Sequence, residues 1–495
     1  MSLLIKNVVV LDGTGKPPQE QDVLVRGAKI VALGRFPRHA ARDILDGRGG
    51  YLAPGFIDPS VSLDRFGNLF SNDQTQLLKQ GITTVMAGQC GISLAPIFHD
   101  SFKAVREQMH SRSYNINWQT FADFFAAMRK RRFGVNFGSF VGHQTLRHVL
   151  THDDFRKLTP RELSVLGNLA ERSASEGVIG FSLGAGYSLA HPVDDAELKL
   201  LFQTASQKKI PIAIHLPELS KGINGFILNL LDYASKTSSP LILNHLVPRE
   251  KSDDLYNEII SLIEENRDRA SLYFSITPPQ KAQALPALSL LPLWTREDPE
   301  QVAQREKDAV VRQLKTPAFR KKILDELPRF RNSNLSILHA PQYPELSSVT
   351  LREFSAREKM TQAEGILSLL ERTNGNVLLL ATEKRHRDSA LLSHERVLLT
   401  SNATGFNGED SEFFPFLLKT VSSSFGLPEA IHHVTGLPAA LFGIHQRGFI
   451  RPHFYADLVL FRNNSISEVF VNGVPVIRDG EGSGTLAGKT LRRNL

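Results

Sequence analysis

Residues 210–215 read IPIAIH and residues 240–245 read PLILNH, two short apolar runs that each end on a histidine. Similar runs recur along the middle of the chain as GITTVMAGQC (81–90), GVNFGSFVGHQ (134–144), GVIGFSLG (177–184), NVLLLAT (376–382) and RVLLTSN (396–402). Continuous apolar runs are typical of parallel strands that are buried on both faces, and the stretches between these runs read as helices. The alternation predicts an α/β barrel over residues 54–439.

The two ends of the chain have a different pattern. LLIKNVVVLDGTG (3–15), DVLVRGAKIVALG (22–34) and YADLVLFRNNSISEVFVNGVPVIRDGEG (455–482) read as short strands joined by tight turns, including Asn-Gly and Asp-Gly. We therefore expect residues 1–53 and 440–495 to form one small β-sandwich domain. Between about 270 and 345 the strand–helix pattern weakens, and we interpret this stretch as a lid-like insertion over the barrel mouth.

Composition excludes several classes of protein. The 495 residues are 41% hydrophobic and 22% charged, as in ordinary globular proteins, and no apolar run approaches the roughly 20 residues of a membrane helix. The N-terminal stretch does not read as a signal peptide, and the single cysteine excludes an intrachain disulfide, so we expect a cytoplasmic protein without membrane partners. The net charge is +7, with basic clusters at 129–132, 320–322 and 384–387, but no nucleic-acid motif accompanies them. We expect solvated helix faces and no nucleic-acid partner.

Three strand ends carry residues of types that can bind metals. Cys90 closes one apolar run, and His215 and His245 close two consecutive ones. Each residue alone also fits a buried position in the core. Together, at the carboxyl ends of barrel strands, they would meet at one mouth with their ligand atoms within roughly 4 Å of one another. One thiolate and two imidazoles suit a zinc-type ion, with a fourth position open to water.

Several segments resemble the N-acyl-D-amino-acid deacylase (D-aminoacylase) type of the amidohydrolase superfamily. They are APGFIDPSVSLD (53–64), GITTVMAGQCGISLAPI (81–97), VGHQTLR (141–147), TGLPAALFGIHQRGFIRPHFYADLVLF (435–461) and FVNGVPVIRDGE (470–481). The resemblance implies a TIM-like (β/α)8 barrel of the amidohydrolase type and a hydrolase that acts on C–N bonds. It also implies that Cys90 occupies the place of the family's metal-bridging thiolate.

The chain departs from the family pattern at two places that matter for catalysis. Where the resemblance implies a His-x-His pair for a second metal, the chain has Ser60 and Ser62, and a neutral hydroxyl is a poor ligand for zinc. Where the family has a catalytic aspartate, the chain has Asn402, whose amide cannot act as a general base. The metal site is therefore expected to hold one Zn²⁺ at most, or none, and the catalytic base is unassigned.

The substrate side of the family pattern is also reduced. His215 is followed by Leu-Pro instead of Met-Arg, Val247 replaces an expected lysine, and the family's His-Pro-Arg segment has no clear counterpart. Groups that would pair with a substrate carboxylate are thus missing from the pattern. Tyr187 matches a family tyrosine near the substrate and is the substrate-binding candidate, although a core or rim aromatic fits equally well. His143 also matches the family, and we interpret it as structural.

Two functions remain open from the sequence. One is a metal-dependent hydrolase that uses one ion at the trio, with Asp64 or His143 as base, and acts on a small-molecule amide or N-acyl amino acid. The other is a catalytically inactive pseudoenzyme whose barrel serves as a binding or assembly scaffold. In either case the chain could form a homo-oligomer or pair with an active relative.

Overall fold

Both chain ends contribute strands to one sheet. The computed structural model describes residues 2–64, 74–98, 116–151, 156–185, 193–216, 223–246, 253–278, 283–291, 307–327, 334–340, 342–382, 394–403 and 412–493. Within these residues, nine strands form the sheet: Ser2–Val10, Gln19–Arg26, Lys29–Gly34, Asp43–Asp46, Tyr51–Pro54, Leu458–Arg462, Ser465–Val471, Val474–Arg478 and Glu481–Gly482. The N-terminal and C-terminal strands meet where Leu52 lies opposite Leu460 in an antiparallel pair.

The turns of this sheet follow from the sequence. The strands on either side of Asn472 and Gly473 pair from Val471 to Val474, and both turn residues have positive φ, at 52° and 77°. Such a two-residue hairpin requires positive φ at both positions, which asparagine and glycine tolerate. The tight turns that the sequence predicts in both terminal segments are confirmed here and between Arg26 and Lys29, where the strands also pair antiparallel.

The middle of the chain forms the predicted barrel. Within the described residues, eight strand positions run parallel: Phe56–Asp58, Ile82–Ala87, Asn136–Ser139 with Val141–Gly142, Phe181–Gly184, Ile212–His215, Leu241–Asn244, Leu272–Ile276 and Val397–Leu399. Nearly every residue of these strands is buried, which explains their continuous apolar sequence. Gly184, His215 and Asn244 lie side by side in register, so neighbouring strands end at the same level.

Helices alternate with these strands. The helices associated with the barrel are Thr75–Lys79, Phe121–Arg129, His143–Thr151, Pro160–Ser175, Asp195–Lys208, Ile223–Thr237, Asp253–Glu265, Phe413–Phe416, Ser422–Phe425, Leu427–His433 and Gly436–Phe442, with a π-helical turn at Leu417–Val421. Thr159 shows how the sequence starts one of them, because it caps the helix that follows in a reciprocal capping box with Glu162. None of the described helices combines the length and apolar character needed to cross a bilayer.

Residues between 283 and 382 form a separate small unit. Its strands are Gln283–Pro286, Asn334–His339 and Leu378–Thr382, and its helices are Lys307–Leu314, Pro317–Glu326, Leu351–Arg357 and Gln362–Arg372. They enclose a hydrophobic cluster of their own. Assigning NVLLLAT to the barrel was wrong, because Leu378–Thr382 pairs antiparallel with the other two strands of this unit. A short apolar run has the same appearance in a small antiparallel sheet and in a barrel, so the sequence could not separate the two.

The last described residues return to the end of the barrel where the strands begin. Phe137 donates its backbone N–H to Lys489 at 3.0 Å, and Leu491 donates to Phe137 at 2.7 Å. This contact lies on the strand Asn136–Ser139. His215 and His245 lie at the opposite end of the barrel, at the carboxyl ends of their strands.

Candidate metal centre

Cys90, His215 and His245 converge at the carboxyl ends of the barrel strands. His215 is the last residue of its strand, His245 directly follows the next strand, and Cys90 lies three residues beyond Ile82–Ala87. One ligand atom from each residue can be chosen so that all three lie within 4.8 Å of one another. Cys90 Sγ is 3.4 Å from His215 Nδ1, and the two imidazole rings are 5.1 Å apart between centroids. The spread is slightly wider than the roughly 4 Å expected for ligands that share an ion.

Two of these residues have unusual backbone conformations. Cys90 has φ of 58° and His245 has φ of 57°, both in the left-handed region. For residues with a side chain, this region costs about 1–2 kcal/mol each relative to ordinary backbone. Such conformations persist only where the surrounding structure fixes them, and they cluster at functional sites. Asn402 shares the feature, with φ of 52°.

Ser60 adjoins this trio. Its Oγ lies 3.5 Å from His245 Nε2, and the residue is buried. Ser62 is bound through its backbone to the segment that follows the last barrel strand, because its N–H donates to the carbonyl of Ala403 at 2.9 Å. Asn402 is held by its own N–H, which donates to Thr400 Oγ1 at 3.0 Å. The structure thus brings Ser60 to the trio and places Ser62 and Asn402 along the neighbouring strand end.

Asp58 is a site-adjacent residue that sequence reasoning did not single out. It is completely buried and accepts hydrogen bonds from the N–H groups of Ser60 at 3.1 Å and Ser401 at 2.9 Å. The hydroxyls of Thr400, at 2.7 Å, and Ser401 also donate to it. Burial raises the pKa of Asp58 above its ordinary value, although these hydrogen bonds act in the opposite direction. The sequence feature that could have identified Asp58 is a carboxylate at the end of an apolar strand.

The two candidate bases are both engaged within the fold. His143 Nε2 lies 2.6 Å from Glu197 Oε2, and Arg147 contacts the other oxygen of the same carboxylate. All three side chains are buried. Burial raises the pKa of Glu197, but the hydrogen bonds and charges of His143 and Arg147 outweigh it, so the pKa lies below its ordinary value. Asp64 accepts the backbone N–H of Gly88 at 2.8 Å. These contacts favour structural roles for both.

The donor set of the trio fits a zinc-type ion. A thiol and two imidazoles are ligands that zinc prefers, and three protein ligands leave one position for water or substrate. In the part of the chain that the structure describes, this is the group of at least three cysteine, histidine or acidic side chains that could hold a metal ion. Tyr187, the substrate-binding candidate, lies outside the described residues, as does Val247.

Comparison with known sequences gives full-length relatives. D-aminoacylase from Alcaligenes xylosoxydans xylosoxydans is 26% identical over 515 aligned positions, covering 99% of this chain and 97% of the relative. N-acyl-D-aspartate deacylase from the same organism is 26% identical over 483 positions, covering 96% and 88%. No family model matches the chain.

Comparison with solved structures agrees with these relatives. A structure of D-aminoacylase, from a study of its binuclear metal centre with one-metal activation and second-metal attenuation, superposes with a TM-score of 0.77. It is 25% identical and covers 99% of both chains. N-acyl-D-glutamate deacylase from Bordetella bronchiseptica, complexed with zinc and a phosphonate inhibitor, superposes with a TM-score of 0.75 at 22% identity, with 99% of each chain covered. At 22% identity, the match to N-acyl-D-glutamate deacylase shows that the two proteins share a fold.

Proposed function

We propose that this chain, a homologue of D-aminoacylase and of the N-acyl-D-amino-acid deacylases of the amidohydrolase superfamily, hydrolyses amide bonds with one divalent ion held by Cys90, His215 and His245. The observation that carries the proposal is the convergence of these three side chains at the mouth of the barrel. When bound, the ion would supply Lewis-acid activation of the amide carbonyl and of water.

The number of ions follows from the side chains beside the trio. Ser60 offers a neutral hydroxyl where the family resemblance implies an imidazole, and such a hydroxyl supplies no charge to offset a second dication. D-aminoacylase is described as having one-metal activation and second-metal attenuation. In that relative a single ion is thus associated with activity, which supports our proposal that one zinc ion is sufficient here.

The chain's own groups limit the rate of this reaction. Asn402 stands where the family has its aspartate, and an amide has no basic oxygen that could take a proton from the attacking water. Asp58 is close in sequence to Ser60 but is already hydrogen-bonded to two backbone amides and two hydroxyls. We therefore propose slow hydrolysis, with a rate about 10²- to 10⁴-fold below that of an enzyme with a positioned base.

The substrate we propose is a small N-acyl amino acid or a related amide. The curated relatives deacylate N-acyl-D-amino acids according to their names, and this chain aligns with them along nearly all of its length. Cytoplasmic location and a homo-oligomer or a pair with an active relative stay predictions.

The experiment is an amide-hydrolysis screen on zinc-loaded protein, using a panel of N-acetyl-D-amino acids and neutral N-acetyl amines. We expect slow turnover in the wild type that is lost in His215→Ala and kept in His39→Ala, a control at an exposed histidine. Asn402→Asp should raise kcat by about 10²- to 10⁴-fold because it restores a general base. Failure of both the wild type and Asn402→Asp to hydrolyse any substrate would favour the inactive scaffold instead.

A further inference from the structure

Two buried amide side chains, Gln89 and Asn244, connect the segments that carry Cys90 and His245. Asn244 Nδ2 donates to Gln89 Oε1 at 3.0 Å. We propose that these two residues form a clasp that pre-shapes the trio, so that Gln89 and Asn244 are positioning residues for metal binding. This inference deepens the proposed function, because it concerns the same site.

The clasp is part of a continuous chain of hydrogen bonds. On one side, Gln89 Nε2 donates to the carbonyl of Pro59 at 2.8 Å. On the other side, Ser275 Oγ donates to Asn244 Oδ1 at 3.0 Å and accepts the backbone N–H of His245 at 3.0 Å. The chain therefore starts at the end of the first barrel strand and ends on the backbone of a proposed ligand.

The orientation of both amides is fixed by their partners. The carbonyl of Pro59 can only accept, so the nitrogen of the Gln89 amide must face it and the oxygen must face Asn244. Gln89, Asn244 and Ser275 are all buried. Because a buried amide without partners is unfavourable, any rearrangement would have to break several bonds together. The clasp thus has one arrangement.

Each residue of the clasp directly precedes a ligand with left-handed backbone. Gln89 precedes Cys90, and Asn244 precedes His245, the two proposed ligands with positive φ. His215 provides the contrast, because it belongs to a regular strand and lies opposite Asn244 in register. The hydrogen bonds of that strand pair hold His215 in place, whereas Cys90 and His245 lie beyond their strands. The clasp sits where additional support for the ligand backbone is needed.

The test uses variants of similar size that cannot form the hydrogen bonds, Gln89→Met, Asn244→Leu and the double variant. The first readout is zinc affinity by competition with a chromogenic chelator, and we expect the dissociation constant to rise about 10- to 100-fold in each single variant. The second readout is the alkylation rate of metal-free protein by iodoacetamide. Because Cys90 is the single cysteine and is buried, we expect this rate to rise about tenfold or more when the clasp is lost.

The control is Asn136→Leu, which removes an equally buried amide at the opposite end of a barrel strand. Asn136 bonds to Asp457 and Asn472, remote in sequence from the trio. A clasp acting as one unit predicts that the double variant resembles the worse single variant in both readouts. Equal changes in Asn136→Leu and Asn244→Leu, or no change in either clasp variant, would overturn the inference. Wild-type protein that binds no zinc would instead refute the proposed function, and the alkylation rates would still decide the clasp.

Discussion

Replacing Asp58 by asparagine tests how the first and last strands of the barrel are joined. The Asp58 carboxylate, on the strand Phe56–Asp58, accepts from Thr400 and Ser401, which directly follow the strand Val397–Leu399. Asp58→Asn keeps the shape of the side chain and one oxygen. It places an NH2 group where Oδ2 now accepts the backbone N–H of Ser401.

The expected loss follows from that one position. The remaining oxygen can still accept from Ser60 and Thr400, and the Ser401 hydroxyl can turn to accept from the new amide. The backbone N–H of Ser401 then faces an NH2 group in place of its Oδ2 acceptor, and losing this buried hydrogen bond costs about 1–3 kcal/mol. We therefore expect the segment 397–403 to open locally about 5- to 150-fold more often, which is the same free energy expressed as an equilibrium constant.

Hydrogen exchange measured by mass spectrometry on peptides that cover 397–403 reads out this opening directly. The pH dependence gives a second check, because burial raises the pKa of Asp58 in the folded protein. A group with a raised pKa stabilises the fold most below its unfolded pKa of about 3.9, and this contribution is lost as the pH rises through the folded pKa. The difference between wild type and Asp58→Asn should therefore shrink as the pH rises from about 4 towards neutrality.

Asp22→Asn is the matched control, since Asp22 is also buried and accepts the backbone N–H groups of Asn7 and Phe36 in the small β-domain. It should increase exchange near its own partners and leave 397–403 unchanged. Unchanged exchange of 397–403 in Asp58→Asn, or a difference from wild type that grows with pH, would show that Asp58 does not hold this strand end as described.

Two further predictions concern the site and the buried charges behind it. A triple variant should raise the metal content towards two ions per chain, because Ser60→His, Ser62→His and Asn402→Asp introduce imidazole and carboxylate ligands. If elemental analysis finds no increase, these three side chains are not sufficient to form a second metal site. Glu197→Gln should lower the free energy of unfolding by about 3–5 kcal/mol at neutral pH, because it removes the negative charge that pairs with the buried Arg147 guanidinium. Because the pKa of Glu197 is lowered, its stabilisation of the fold is present above about pH 4.5 and is lost as the pH falls through the folded pKa. The free energy of unfolding, measured with urea, should therefore fall less steeply with decreasing pH in the variant than in the wild type.

Continuous apolar runs and turn residues predicted most of the fold. The runs ending at Cys90, His215 and His245 were recognised as barrel strands because burial on both faces leaves a continuous apolar sequence. The Asn472-Gly473 turn was readable because few residues accept positive φ at both positions. Leu378–Thr382 was misassigned because an apolar run carries no information about which strands it pairs with.

The convergence of Cys90, His215 and His245 was predictable from the sequence, but their surroundings were not. Residue type and strand position singled out the trio, since the carboxyl ends of barrel strands carry active sites and thiol and imidazole groups suit zinc. The roles of Gln89, Asn244 and Asp58 depend on partners 30 to more than 300 residues away in sequence. No local pattern encodes such pairings, so they could be recognised only from the fold. His143 could not be separated from a catalytic base until Glu197 was seen beside it.

The metal content of the purified protein tests the central claim most directly. Protein prepared without chelator, incubated with zinc and desalted should contain about one zinc per chain by elemental analysis, because Cys90, His215 and His245 provide three ligands and Ser60 provides none. Cys90→Ser should bring the value close to zero, and His39→Ala, at an exposed histidine, should leave it at one. Two tightly bound ions in the wild type, or none, would contradict the account.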